Sequence, residues 1–295
     1  MKNLMGIEVA NSHRSIDDAF ERTVKDIGIP PRPVILDRFR DEMRKDTPSF
    51  LRLSQIISAD VGLSAGLMKV VNSPYFGLRS KVDSVRDALT MLGLDAASRA
   101  IAAACLRKTF PLTPALERFW AGSAQIAALS GWLAKNDRKT MIRADVAYTF
   151  GLFRDIGIAI LLLRYPRYVE TLGSANHDAQ QSFTDVEQRD FQTDHARVGY
   201  VLGMNWYLPG EICLGIRSHH DLLAIDHAES EVTPASRYLI ATSQTAEYIL
   251  HCCTGLSSTR EWQKLGPACL RILGLSEDDL PAICEAGADI LEAVD

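Results

Sequence analysis

Met68-Lys69-Val70-Val71-Asn72-Ser73-Pro74-Tyr75-Phe76-Gly77, followed closely by Ser84-Val85-Arg86-Asp87-Ala88-Leu89-Thr90-Met91-Leu92-Gly93, is the stretch on which the fold reading turns. Val61, Leu63, Leu67, Met68 and Val71 recur at the spacing of one helical face, behind an Asp60 able to cap it. Asn72-Ser73-Pro74 stops that helix, because proline lacks the amide and clashes with the preceding turn. Asp83 and Ser84 then offer caps to a second helix, with Val85, Leu89 and Leu92 on one side. Gly93 supplies a left-handed terminus. Asn72 reads first as a turn residue, and with Ser73, Tyr75 and Phe76 it also forms a candidate interaction loop.

Working outward, Ile29-Pro30-Pro31-Arg32-Pro33 cannot continue a helix and marks the entrance to the main domain, so residues 1–28 form an extension. Thr47-Pro48 places a capping hydroxyl before a proline, and Leu51, Ile56 and Ile57 give the helix that follows a buried face. Another helix is expected over about 95–108, and the prolines of 111–114 mark a subdomain boundary. Beyond it, 116–135 and 142–163 read as long helices, the second apolar and central. Shorter ones are expected over 183–190, 194–205, 209–219, 234–252, 262–273 and 279–293. No stretch alternates with period two, so the expected fold is all-α.

The 295 residues are 47% hydrophobic, enough for a sizeable core. No uninterrupted run of about 18 apolar residues appears and the N-terminus lacks the apolar stretch of a signal peptide, so a cytoplasmic, non-membrane location is expected. The six cysteines include no C-x-x-C pair and read as reduced, mostly buried thiols. A net charge of -5 argues against a general nucleic-acid binder. Residues 1–113 carry 17 Lys+Arg against 13 Asp+Glu, the remainder 15 against 24, an asymmetry that suits protein contact or homodimerisation.

The stretch quoted first resembles the signature of the HD-related output domain family, HDOD. The resemblance continues through Phe150-Gly151-Leu152-Phe153-Arg154-Asp155-Ile156-Gly157, Asp194-His195-Ala196-Arg197-Val198-Gly199, Trp206-Tyr207-Leu208-Pro209 and Ile216-Arg217-Ser218-His219-His220. It implies a multi-helix HD-domain-like bundle over 29–226, with a helical subdomain over about 29–112 and the bundle proper from about 113. Residues 227–295 are then a C-terminal helical extension packed on it.

The HD phosphohydrolases, which HDOD proteins resemble distantly, hold one or two divalent metals with histidines and aspartates from separate helices; the metal lowers the pKa of bound water. Set against that ligand pattern, Gly122 stands at the first histidine and has no side chain. Arg154 replaces the histidine of the His-Asp pair, and an always-cationic guanidinium cannot ligate. Thr242 or Ser243 stands near the final aspartate. Asp155, His195 and one of His219 or His220 survive; neighbours on a helix diverge by about 100°, so at most one of that pair is expected to face inward.

The expectation is therefore a degenerate site at Gly122, Arg154, Asp155, His195, His219 and Thr242, with no catalytic residue, metal or other cofactor. Arg154 is expected to pair with Asp155 in the old pocket. The function implied is a bacterial signal-transduction module acting through a protein partner. Two alternatives stand beside it: a residual metal-dependent phosphohydrolase, and a nucleotide second-messenger-binding domain using Arg154, His195 and His219 as anion ligands.

Overall fold

The structure, a computed structural model, describes residues 27–72, 81–111, 113–137, 141–226, 232–257 and 259–293. The N-terminal helices are α1 (Val34–Met43), α2 (Phe50–Ser58), α3 (Val61–Val71) and α4 (Val85–Thr109). The bundle follows with α5 (Pro114–Asn136), α6 (Ala144–Phe153), α7 (Ile156–Arg164), α8 (Tyr168–His177), α9 (Phe183–Phe191), α10 (His195–Asn205), α11 (Gly210–Ser218) and α12 (Leu222–Asp226). Three more complete the chain: α13 (Pro234–Thr254), α14 (Glu261–Leu273) and α15 (Leu280–Glu292). The fold is all-α, with no strand among the described residues.

Side-chain caps fix several starts. Asp60 accepts the Leu63 amide at 3.0 Å, Ser84 the Asp87 amide at 3.0 Å and Thr113 the Leu116 amide at 3.3 Å. The cap of α2 is Ser49, not Thr47: its hydroxyl takes the Arg52 amide, and the helix begins two residues later than the Thr-Pro signal suggests. Gly93 adopts φ +72° and ψ 169°, outside helical geometry, so α4 is two helices meeting at a kink, with the break at Gly93 as expected. Asn72 donates to the Val82 carbonyl at 2.9 Å and accepts the Val82 amide at 2.8 Å, fastening the end of α3 to the residues just before α4. Ser73, Tyr75 and Phe76 lie outside the described residues.

The main buried cluster runs from Ile27 to Leu273 and joins the N-terminal helices to the bundle. A smaller one, with Leu129, Ile249, Leu250 and Leu291, seats α15 against α5 and α13. Val85–Thr109 and Ala144–Arg164 are long and apolar enough to cross a membrane by length and composition, yet 56% and 61% of their most apolar windows are buried inside this fold.

The expected helix over 142–163 is broken. Asp155 leaves helical geometry at φ -100°, ψ 11°, dividing it into α6 and α7. Just beyond the break, α7 meets the start of α10 at Gly157, where a Cβ would lie 2.0 Å from the His195 carbonyl oxygen. Backbone cannot yield as a flexible side chain does. Gly157→Ala is therefore expected to destabilise by about 1–3 kcal/mol or more, as overpacking does. Chemical denaturation checks this, and an unchanged midpoint contradicts it.

Candidate functional site

Three segments converge where α6 breaks. Arg154 and Asp155 occupy the break itself, and His195 opens α10 behind its cap Asp194, which accepts the Arg197 amide at 2.6 Å. α11 ends at Ser218, and the Asp221 amide bonds back to the Ser218 carbonyl at 3.0 Å, so His219 and His220 sit in a turn. The expectation that only one of that pair faces inward assumed helical geometry and is overturned. Their ring centroids lie 4.2 Å apart on one side.

Ligating atoms of Asp155, His195, His219 and His220 all lie within 4.8 Å of one another. His195 Nε2 is 3.2 Å from His219 Nε2 and 3.1 Å from His220 Nε2, and His219 Nε2 is 3.1 Å from Asp155 Oδ1. The opposite ring nitrogens determine what these contacts are. His195 Nδ1 donates to Glu187 Oε2, His219 Nδ1 to the Ile216 carbonyl and His220 Nδ1 to Glu261 Oε2, each at 2.7 Å. With each Nδ1 proton committed there, three Nε2 atoms and a carboxylate oxygen face one another.

Few protons are available to relieve this. Burial pulls the His195 imidazole down, but the carboxylates of Glu187, Asp155 and Asp194 together outweigh it and take the pKa up to about 9. Burial, then the neighbouring His219, drives His220 down to about 3; burial lowers His219 too, against the pull of Asp155. Burial opposes ionisation of Asp155, yet Arg154 and His219 hold its carboxyl well below the usual range. One proton on His195 Nε2 bridges one contact and leaves the rest acceptor against acceptor. A cation satisfies all four, so this donor set fits a metal ion, held by Asp155, His195, His219 and His220. Glu187 and Glu261 fix the imidazoles behind, an arrangement typical of metal-ligating histidines.

The other Asp155 oxygen belongs to Arg154, as expected. Arg154 Nε donates to Asp155 Oδ2 at 2.9 Å and its Nη2 to Glu247 Oε2 at 2.7 Å, with the side chain 2% exposed. Burial raises the pKa of Glu247 despite the attraction of Arg154, and Asp155 adds to the rise. Thr242 takes no part: its hydroxyl donates to the Tyr238 carbonyl at 2.7 Å within its own helix. Sequence reading missed Glu247, although it is the one acidic residue in the α13 sequence. It also missed Glu187 and Glu261, which nothing local distinguishes from solvated acids. Gly122 lines a cleft of ≈590 Å³ whose floor includes Arg154, Asp155, His220, Glu247 and Glu261.

The sequence model of the HDOD domain matches residues 29–222. The chain belongs to the HDOD domain family. Among solved structures, an HDOD domain protein of unknown function from Geobacter sulfurreducens is 23% identical, with TM-score 0.64 over 95% of this chain and 98% of that one. A candidate phosphohydrolase from Shewanella amazonensis SB2B is 19% identical, with TM-score 0.65 over 94% and 98%. A candidate signal-transduction protein from Marinobacter aquaeolei VT8 is 17% identical, with TM-score 0.65 over 97% and 64%. These likenesses establish the shared HDOD fold. An uncharacterized protein of Treponema pallidum (strain Nichols) is 25% identical over 197 residues, which are 66% of this chain and 37% of that much longer protein.

Removing the guanidinium leaves Asp155 and Glu247 facing each other without their cation. Arg154→Met should therefore lose about 3–5 kcal/mol, the cost of breaking a buried pair. Adding Glu247→Gln should recover part of it. A single variant as stable as the parent in urea denaturation contradicts the pairing.

Proposed function

We propose that this HDOD protein is a cytoplasmic regulatory module that binds one divalent transition-metal ion and acts through a protein partner, without turnover of a substrate. The observation that carries the metal is the convergence of three imidazole Nε2 atoms and Asp155 Oδ1 with every Nδ1 engaged elsewhere. Nitrogen-rich ligation without thiolate suits zinc, iron, manganese, cobalt or nickel. Three of the ligand separations, at 3.1–3.2 Å, and a fourth of 3.7 Å between His195 Nε2 and Asp155 Oδ1 lie near the edge of one coordination shell, about 3.3 Å for a tetrahedron with bonds of about 2.0 Å.

The non-catalytic reading is supported by Arg154, which fills the neighbouring position with a fixed positive charge and engages the second oxygen of Asp155. The family and the Marinobacter relative, a candidate signal-transduction protein, support the regulatory role. The asymmetric charge supports a protein partner or a second copy of this chain. The expectation of a site without metal counts three ligand candidates, whereas this reading is supported by the four that converge. A hydrolytic reading has one observation in its favour: Asp155 and His220 reach the cleft. A bound metal there would supply Lewis acidity and a more acidic water.

Calorimetric titration of chelator-treated protein with zinc, manganese and nickel, in separate runs, tests this. We expect about one equivalent bound, a raised melting midpoint, and an affinity loss of about 100-fold in His219→Ala. No uptake, or undiminished uptake by that variant, contradicts the metal site. Steady turnover of phosphomonoesters or phosphodiesters by the loaded protein contradicts the non-catalytic part. The partner is tested by affinity capture from the native host, with recovery of no stoichiometric protein counting against it.

A further inference from the structure

Cys105, Cys213 and Cys269 are buried, but Cys252 and Cys253 are exposed and Cys284 is half-buried, so the expectation of mostly buried thiols holds for three of the six. The accessible three are brought together where α13 packs on α15. Gly287 sets that approach: a Cβ there would lie 2.5 Å from Ile249 Cγ2. One turn further along α13 stand Cys252 and Cys253, and one turn back along α15 stands Cys284. Cys253 Sγ donates to the Cys284 carbonyl oxygen at 3.4 Å. Cys252 instead shares with Cys284 an open cleft of ≈540 Å³, walled by Trp262, Leu280 and Pro281. Tyr248, one turn before Cys252, lines the cleft too and stacks on Trp262 with ring centroids 4.4 Å apart. The neighbouring Cys252 thiol, then burial, takes the Tyr248 hydroxyl up to about 12, so it keeps its proton. Burial, then Cys252, pushes the Cys284 thiol up to about 12 as well.

We propose that Cys252 and Cys284 form a thiol pair that a small hydroperoxide entering this cleft oxidises to a disulfide. Cys252 is the exposed member and takes the first step: its sulfur, as thiolate, attacks one peroxide oxygen. An S–O bond forms and the O–O bond breaks. The departing oxygen takes up the proton that Cys252 released, with the Tyr248 hydroxyl placed to relay it, and leaves as alcohol or water. Cys252 is then a sulfenic acid, oxidised by two electrons, and the peroxide is reduced. Cys284 attacks that sulfur; the S–S bond forms, the S–O bond breaks, and hydroxide departs with the Cys284 proton as water. Oxidation of Cys252 also removes one of the two causes that hold the Cys284 proton in place. Cys253 is the competing partner, but adjacent side chains on a helix diverge by about 100°, and its sulfur is engaged by the Cys284 backbone. The pair lies beyond residues 29–222 and does not depend on the metal.

The test exposes the full chain, reduced and chelator-treated, to hydrogen peroxide. Peptide mapping by mass spectrometry should find one disulfide joining Cys252 to Cys284, with Cys105, Cys213 and Cys269 still thiols. The oxidised chain should melt about 4 °C or more above the reduced one, because the bond closes a loop of about 30 residues between α13 and α15. Dithiothreitol should reverse both changes. Cys284→Ser should stop at the sulfenic acid, which dimedone captures on Cys252, whereas Cys253→Ser should form the disulfide as the parent does. The proposal is overturned if Cys252 pairs with Cys253 or with a second chain, if peroxide leaves Cys252 and Cys284 as thiols, or if Cys284→Ser gives no dimedone adduct at Cys252.

Discussion

Asp155 divides its two oxygens between opposite kinds of partner. Oδ1 stands 3.1 Å from His219 Nε2, whose ring faces the Ile216 carbonyl through Nδ1, whereas Oδ2 accepts from the guanidinium of Arg154 at 2.9 Å. Both relations depend on the break between α6 and α7, because an unbroken helix would aim adjacent side chains about 100° apart. They also depend on Gly157, which lets the backbone of α7 reach that of α10 beside His195. A backbone constraint thus sets the geometry on which the electrostatics rest.

The buried site holds an excess of carboxylates, and each is matched to a donor. Glu187 accepts from His195 through both its ring and its backbone amide, and also from the Tyr168 hydroxyl. Glu261 accepts from His220 and pairs with Lys264; burial raises its pKa, but His220 and Lys264 outweigh burial and bring it to about 2. Two of these acids, Glu247 and Glu261, lie beyond the residues 29–222 that match the family. The C-terminal helices therefore complete the site, supplying the counter-charge of Arg154 and the acceptor that orients His220.

Local chemistry was legible in the sequence, and long-range chemistry was not. Asp60, Ser84 and Gly93 act through residues three or four positions away, so capping and handedness rules find them. Helix α1 escaped notice: its buried Leu36 and Phe39 sit among charged residues directly after a run of prolines. The pair His219-His220 was misread because the end of α11 at Ser218 carries no glycine or proline signal. Arg154 was read correctly as a partner of Asp155, since sequence adjacency brings them together. Its second partner is 93 positions away, and only its isolation as the sole acid of α13 pointed to it.

The proposed metal ion would sit among His195, His219, His220 and Asp155, beside the Arg154 guanidinium. Anomalous diffraction at the absorption edge of the bound metal, from crystals grown with zinc or manganese, locates the ion directly. The account predicts one peak enclosed by His195, His219, His220 and Asp155, with the Arg154 guanidinium still paired to the far oxygen of Asp155. A peak elsewhere, no peak, or a second ion displacing Arg154 contradicts it.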